Sequence, residues 1–174
     1  MGSYCPEGMA APNPCPPTYY CTADRLQSPL PCPAGFACAG SAAAPAACPP
    51  GAYCAPRSAA PAQCAAGSYC PTPAAQLPCT RGYYCPAGSS AMLPCGRGTY
   101  CPPGSQGNGP CSAGYYCPTP DTRVACPGGA FCPAGAVNWT GCEAGYFCPA
   151  FSTGPAACVD GFYCPPRSPA QVRR

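Results

Sequence analysis

Residues 79–95 read CTRGYYCPAGSSAMLPC, and variants of this stretch fill the whole chain. From Cys15 onward, successive cysteines are separated alternately by five residues and by nine residues, give or take one. Cys5 stands alone in front of this series. A unit of about 16 residues is therefore repeated, which is typical of a repeat architecture. The pairs with the five-residue gap are Cys15/Cys21, Cys32/Cys38, Cys48/Cys54, Cys64/Cys70, Cys79/Cys85, Cys95/Cys101, Cys111/Cys117, Cys126/Cys132, Cys142/Cys148 and Cys158/Cys164.

The composition favours cross-links over a hydrophobic core. Cysteine makes up 21 of the 174 residues, a level that marks a disulfide scaffold. Leucines are few and isoleucine is absent, so the chain lacks the side chains of a shared core. The 30 prolines oppose helix formation. We therefore predict small disulfide-rich repeats in an elongated, solenoid-like rod, mostly irregular with turns and short β pieces, and with essentially no α-helix.

Two further positions of the unit are nearly constant. Glycine lies three residues after the first cysteine in nine of the ten pairs, with Thr18 as the exception. This regularity predicts a positive φ angle or a close backbone contact. An aromatic residue precedes the second cysteine in every unit except at Ala37. We expect these rings to stack along the repeats and to cover the disulfides, with a ring ladder that binds sugars or an aromatic ligand as the functional alternative.

Two disulfide schemes treat all the repeats alike. The first closes the five-residue gap and leaves Cys5 over, and the second closes the nine-residue gap and leaves Cys164 over. We prefer the second, because a disulfide-closed loop with a turn at its tip tolerates a residue more or less, as this gap does. Cys164 is then free or joined to another unit. The second scheme predicts Cys5–Cys15, Cys21–Cys32, Cys38–Cys48, Cys54–Cys64, Cys70–Cys79, Cys85–Cys95, Cys101–Cys111, Cys117–Cys126, Cys132–Cys142 and Cys148–Cys158.

The repeat divides the chain into three stretches. Residues 1–14 correspond to the second half of a repeat, residues 15–157 hold nine tandem repeats, and residues 158–174 hold a last repeat that stops before its successor. We therefore expect a segment of a longer protein whose secretory signal lies elsewhere. So many disulfides persist only in an oxidising compartment, which predicts an extracellular protein. No stretch is apolar and long enough to predict a membrane span.

The residue types argue against enzymatic chemistry. The chain has no histidine and no lysine, and its five acidic residues lie in different units. Catalytic triads and paired carboxylates are therefore not predicted, and neither is a cofactor. No cysteines are spaced as Cys-x2-Cys, so we predict no metal site. A net charge of +3 with scattered arginines forms no basic stripe for nucleic acid.

Covalent modification is better supported than catalysis. Asn138-Trp139-Thr140 is an N-glycosylation sequon in the variable loop before Cys142. Only 7% of the residues are charged, so solubility needs another source, or the surface associates with itself. Four Ser-Pro or Thr-Pro pairs resemble the hydroxylation and O-glycosylation sites of plant and algal walls, at Pro29, Pro73, Pro120 and Pro169.

Residues 32–38, 48–54 and 142–149 read CPAGFAC, CPPGAYC and CEAGYFCP. These strings resemble ephrin-receptor-like cysteine-rich repeats and the first half of tumour-necrosis-factor-receptor modules. The chain differs from those families by placing a cysteine directly after the aromatic residue, so their disulfide connectivity does not carry over. Long arrays of this variant look like those in secreted or surface proteins of algae and other protists, including flagellar hairs (mastigonemes) and cell coats.

The resemblance implies a structural building block of a filament, cell coat or flagellar hair. Its partners would be copies of itself, assembled head-to-tail or laterally, other fibre proteins, and covalent glycans. The first alternative is a receptor-like ectodomain that binds a protein or glycan ligand. A secreted inhibitor or toxin-like scaffold is the second alternative, although the long regular array argues against it.

Overall fold

The computed structural model describes residues 2–22 and 26–173, and its regular structure consists of β-hairpins. These residues contain no α-helix, which confirms the predicted class of small disulfide-rich repeats. One further hairpin is held by a single bridge between Thr99 and Pro110. The antiparallel pairs are β1 Ser3–Tyr4 with β2 Asn13–Pro14, β3 Tyr19–Tyr20 with β4 Leu30–Pro31, β5 Phe36–Ala37 with β6 Ala46–Ala47, β7 Ala52–Tyr53 with β8 Ala62–Gln63, β9 Ser68–Thr72 with β10 Ala75–Pro78, β11 Tyr83–Tyr84 with β12 Leu93–Pro94, β13 Tyr115–Thr119 with β14 Thr122–Ala125, β15 Ala130–Phe131 with β16 Thr140–Gly141, β17 Tyr146–Phe147 with β18 Ala156–Ala157, and β19 Phe162–Tyr163 with β20 Val172–Arg173.

The first strand of each hairpin begins before the second cysteine of a pair, whereas its turn and second strand lie in the longer gap that follows. The register of the hairpins explains the prolines. In the β11–β12 hairpin, Tyr83 lies opposite Pro94 and Tyr84 lies opposite Leu93. The amide of Cys95 donates a hydrogen bond to the carbonyl oxygen of Gly82 at 3.0 Å. Hydrogen-bonded and non-hydrogen-bonded pairs alternate in an antiparallel ladder, so Pro94 occupies a non-bonded pair. Its missing N–H therefore removes no ladder bond.

The disulfides close the five-residue gap, which corrects the predicted connectivity. Every bridge joins cysteines six positions apart, with Cα–Cα distances from 5.9 to 6.6 Å. The bridges are Cys15–Cys21, Cys32–Cys38, Cys48–Cys54, Cys64–Cys70, Cys79–Cys85, Cys95–Cys101, Cys111–Cys117, Cys126–Cys132, Cys142–Cys148 and Cys158–Cys164.

The hairpin register is the reason that the predicted pairs do not form. In the β11–β12 hairpin, Cys95 lies opposite Gly82, and Cys85 lies opposite Met92. The two cysteines are thus offset by three residues along the ladder, roughly 10 Å at about 3.3 Å per residue. A disulfide requires Cα atoms within about 7 Å. The predicted pairs that the structure replaces are Cys5–Cys15, Cys21–Cys32, Cys38–Cys48, Cys54–Cys64, Cys70–Cys79, Cys85–Cys95, Cys101–Cys111, Cys117–Cys126, Cys132–Cys142 and Cys148–Cys158.

The length of each hairpin loop depends on the residues after the second cysteine. In the hairpins β9–β10 and β13–β14, Pro-Thr-Pro follows the second cysteine, and the chain turns over two residues, 73–74 and 120–121. Other units use a turn such as Pro86–Ser89, in which the Ser89 amide donates to the Pro86 carbonyl oxygen at 3.3 Å. Gly88, the third residue of that turn, has a φ of 78°. This geometry is that of a type II turn.

Cystine side chains form the buried core. Apart from Cys158, every bridged cysteine is buried, and the other buried hydrophobic residues in the described part of the chain are Ala37, Ala52 and Ala130. Large apolar side chains such as Leu30, Leu77 and Leu93 are exposed instead. Stability therefore rests on the cross-links and on short-range packing.

By contact density the chain divides into two compact units. One comprises Met1–Cys79 with Cys85–Met92, and the other comprises Thr80–Tyr84 with Leu93–Arg174. Each unit contains the same arrangement of hairpins and bridges. The predicted repeat boundaries, residues 1–14, 15–157 and 158–174, remain a prediction.

Candidate functional site

Each disulfide ties one hairpin to the next. Cys142 directly follows β16, and Cys148 directly follows β17, so their bridge joins the end of one hairpin to the first strand of its successor. Backbone hydrogen bonds reinforce this link: the Gly129 amide donates to the Cys148 carbonyl oxygen at 2.8 Å, and the Cys132 amide donates to the Ser152 carbonyl oxygen at 2.8 Å. Successive hairpins are thus joined both covalently and by hydrogen bonds.

A second contact joins six of the hairpins to the hairpin two positions further along. The groups that receive the turn of the later hairpin form what we call the turn seat. A turn seat consists of the conserved glycine of one unit and the carbonyl oxygen of the cysteine that ends its hairpin. In the seat of Gly114 and Cys126, the Phe151 amide donates to the Cys126 carbonyl oxygen at 3.0 Å. The Phe151 carbonyl oxygen lies over Gly114, where a Cβ atom would be 2.7 Å from it. At these seats, contacts therefore extend beyond the adjacent repeat of the predicted solenoid.

The same seat recurs along the chain. The turn residue donates to the cysteine carbonyl oxygen at 2.7–3.0 Å in every case. Where the seat holds glycine, an added Cβ atom would collide with the carbonyl oxygen of the turn residue. The occupied seats are Gly2/Cys15 with Ser41, Thr18/Cys32 with Arg57, Gly51/Cys64 with Gly88, Gly98/Cys111 with Gly135, Gly114/Cys126 with Phe151, and Gly129/Cys142 with Arg167.

Both predicted reasons for the conserved glycine are confirmed. The seat glycines have φ angles between 73° and 87°, a region that costs other residues energy. The close approach of the turn carbonyl adds a second constraint at the occupied seats. Thr18 adopts the same conformation, with a φ of 74°. A β-branched residue there is strained.

Four turn residues also have positive φ although they are not glycine: Ser41, Arg57, Phe151 and Arg167, at 59–65°. The sequence contained no signal for this conformation. Three of them place their side chains on an aromatic ring of the hairpin two positions earlier. The Arg57 guanidinium lies 4.7 Å from the Tyr19 ring centroid.

The other two contacts have the same form. The Arg167 guanidinium lies 5.0 Å from the Trp139 centroid, and the Phe151 and Tyr115 centroids lie 5.5 Å apart. Cation–π and edge-to-face contacts of this kind offset part of the backbone strain.

The aromatic residues do not form the predicted stack. Among the described residues, the ring pair of Tyr115 and Phe151 is the one direct contact between rings. Tyr116 and Trp139 instead pack against Cys126, Ala130 and Cys132, so these rings do cover a disulfide. Tyr19 and Tyr115 thus contact turn side chains, and Tyr116 packs against a bridge.

One cleft carries groups that suit a polar ligand with an apolar face. It has a volume of about 330 Å³ and is lined by Phe131, Thr140, Gly141, Glu143, Tyr146 and Pro155. The side chain of Tyr146 is 42% exposed. The cleft therefore combines two rings with a carboxylate.

The candidate modification sites are accessible to different degrees. Asn138 is exposed, and its Oδ1 atom accepts a hydrogen bond from the Trp139 amide at 2.9 Å. Glycosylation at this position remains a prediction. Of the four prolines predicted to be modified, Pro169 is exposed, whereas Pro29, Pro73 and Pro120 are half-buried.

Two cysteines change roles relative to the prediction. Cys164 is bonded to Cys158 and is not left over. Cys5 carries the one free thiol among the described residues, and it is half-buried. Both changes follow from bridges that close the five-residue gap. Such bridges pair Cys164 with Cys158 and leave Cys5 over.

The chain matches no protein-family model, and a search of curated proteins finds no similar sequence. Within residues 2–22 and 26–173, no helix has the length and apolarity that a membrane span requires.

Proposed function

We propose that the protein is a structural segment of an extracellular filament, cell coat or flagellar hair, and that it has no catalytic role. The observation that carries this proposal is the even spacing of ten bridges, each of which joins consecutive hairpins. A protein that relies on so many bridges needs an oxidising environment. Regular covalent links suit a part that must resist stretching and proteolysis.

The local design of each unit supports a mechanical role. A bridge spans five residues while its Cα atoms stay about 6 Å apart, so those residues cannot extend under load. The next hairpin is held by backbone hydrogen bonds, and the turn seat adds a bond to the unit beyond it. Load is thereby shared among three consecutive hairpins. Glycans at Asn138 and at the four prolines would supply the solubility that so few charges do not.

Immunogold electron microscopy of the source material tests this proposal. Antibodies against the folded chain should label extracellular fibres or the cell coat at regular intervals. Labelling that is confined to the cell interior, or to isolated particles without fibres, would contradict a structural role. Antibodies absorbed with the folded chain provide the control.

The cleft beside Glu143 favours a second candidate, a receptor-like module that binds a glycan. Ring faces stack on sugars, and a carboxylate accepts hydrogen bonds from their hydroxyl groups. A glycan-array assay with Glu143→Gln and Tyr146→Ala variants tests this candidate. Binding that is lost in both variants would support it, and an array without any binding would remove it.

A further inference from the structure

The N-glycosylation sequon and the cleft of about 330 Å³ lie on the same hairpin. Thr140, the third residue of the sequon, is exposed and lines that cleft. Phe131 also lines it, and it lies directly opposite Thr140 in the β15–β16 ladder. Residues directly opposite each other in an antiparallel pair project from the same face of the sheet. The sequon therefore has an aromatic ring beside its threonine.

The middle residue of the sequon is anchored on the other face of this hairpin. Trp139 packs against Cys126, Ala130 and Cys132. Ala130 directly precedes Phe131 in β15, and successive residues of a strand project to opposite faces. Trp139 is therefore held on the face opposite to the cleft, and its packing fixes the backbone of the sequon.

The Asn138 side chain is held with its Nδ2 atom available. Its Oδ1 atom accepts a hydrogen bond from the Trp139 amide at 2.9 Å, and no hydrogen bond among the described residues involves Nδ2. Nδ2 is the atom that N-glycosylation modifies. Transfer from a lipid-linked sugar diphosphate bonds Nδ2 to the anomeric carbon of the sugar, breaks the bond from that carbon to the diphosphate, and releases one Nδ2 proton.

The attachment point is close to the cleft, and the cleft suits a sugar. Two residues of chain span at most about 7 Å, so Asn138 lies beside the rim that Thr140 forms. Tyr146 and Glu143 are exposed on the opposite wall. Aromatic faces pack against the C–H groups of a sugar ring, and a carboxylate accepts hydrogen bonds from hydroxyl and N–H groups. The volume lies at the lower end of the range of small-molecule sites, about 300–1,000 Å³, and suits about one or two sugar rings.

We infer that this cleft holds the innermost sugar of a glycan attached to Asn138. The sugar packs against the rings of Phe131 and Tyr146 and donates a hydrogen bond to the Glu143 carboxylate. Because the contact is intramolecular, the effective concentration of the sugar is in the range of about 1 mM or more, and a weak interaction is enough to populate it. The sugar contacts both β15–β16 and β17–β18, so it reinforces the joint that the Cys142–Cys148 bridge makes between these hairpins.

This inference rests on the proposed function, because N-glycans are attached to secreted chains. Peptide mass spectrometry of the source material tests the attachment, and an unmodified Asn138 would overturn the inference. NMR spectroscopy of the glycosylated chain, trimmed enzymatically to the innermost sugar, tests the contact. We expect nuclear Overhauser effects between the sugar protons and the ring protons of Phe131 and Tyr146. A sugar without such effects to either ring would overturn the inference.

Amide hydrogen exchange measures how far the sugar stabilises the hairpin. Phe131 and Thr140 form a hydrogen-bonded pair of the ladder, because Gly129 and Cys142, two positions away, are such a pair. The amides of Phe131 and Thr140 should exchange about 2- to 10-fold more slowly in the glycosylated chain than in Asn138→Gln. Equal exchange rates would contradict a docked sugar.

Two tyrosine variants show whether that protection comes from the cleft. Tyr146→Ala should remove most of the difference in exchange between the glycosylated chain and Asn138→Gln. Tyr83→Ala is the matched control and should leave the difference unchanged. Tyr83 has the same position in its repeat and is 39% exposed, against 42% for Tyr146, but its hairpin has no sequon. The same loss in both variants would show that the protection does not come from this cleft.

The glycan array distinguishes an attached sugar from a free one. A cleft that is filled by its own glycan leaves no place for another, so binding by the glycosylated chain that depends on Tyr146 would overturn the inference. The structural role fails separately. Extracellular fibres that contain chains without the docked sugar would refute this contact and leave the structural role intact, whereas a docked sugar on chains that are found in no fibre or coat would refute the structural role.

Discussion

Single-molecule stretching offers a direct test of the bridging pattern and of the mechanical role that depends on it. Each observed bridge holds six peptide steps, about 21 Å when extended, within a Cα–Cα distance of about 6 Å, and so hides about 15 Å of chain. Ten such bridges hide about 150 Å. Bridges across the longer gaps would hold about ten steps each and would hide about 290 Å in total.

The assay pulls the chain between terminal handles by optical tweezers, before and after reduction. Under load the hairpins open at either redox state, so the difference in final contour length reports the bridges alone. We expect a gain of about 150 Å on reduction. The double variant Cys79→Ser with Cys85→Ser should extend by about 15 Å more than the wild type before reduction, because it removes one bridge. A gain near 290 Å, or an effect of the double variant near twice 29 Å, would refute the observed connectivity.

Further predictions concern the backbone and one carboxyl group. Gly114→Ala should lower the free energy of unfolding by about 1–2 kcal/mol for its positive φ and by about 1–3 kcal/mol more for the displaced turn, whereas Gly104→Ala should show the first cost alone; denaturant titration of the oxidised chains measures both, and equal losses would contradict the seat. Thr18→Gly should stabilise the chain by up to about 1 kcal/mol in the same assay, because it relieves a β-branched residue at a φ of 74°, and a loss of stability would show that the threonine side chain is needed. Hydrogen bonding from the Thr119 side chain and from the backbone holds the pKa of Asp121 below its ordinary value of 3.8. The stability that this carboxylate contributes is therefore fully present above pH 3.8 and is lost as the pH falls through the lower folded pKa; NMR titration should show a higher Asp121 pKa in Thr119→Val than in the wild type, and equal pKa values would exclude that hydrogen bond as the cause.

Local residue preferences were enough to predict much of each unit. Prolines on both sides of the cysteines exclude helix, and only glycine adopts a φ near 84° without strain, as Gly82 and Gly129 do. The scarcity of large aliphatic residues correctly indicated that cross-links take the place of a shared aliphatic core. All of these properties depend on residues within one repeat, so a single sequence contains them.

The partners of the cysteines were not predictable in this way. Closing the five-residue or the longer gap satisfies the repeat equally well, and the choice depends on the hairpin register, which offsets Cys85 from Cys95 by three residues. The longer gap varies by a residue because it contains the hairpin loop, and different hairpins use different turns. No bridge closes this gap. The variable length was therefore misread as the mark of a disulfide-closed loop.

The sequence by itself determined the period of the repeat, the residues at each position, the lack of helix and the dependence on an oxidising environment. The tertiary structure alone decided the connectivity, the turn seats and the sites where aromatic rings are contacted. Arg57 shows the physical reason: its left-handed conformation is held by a hydrogen bond to Cys32, 25 residues earlier, and by the ring of Tyr19. No local preference of arginine predicts a conformation that is stabilised by a hairpin two units away.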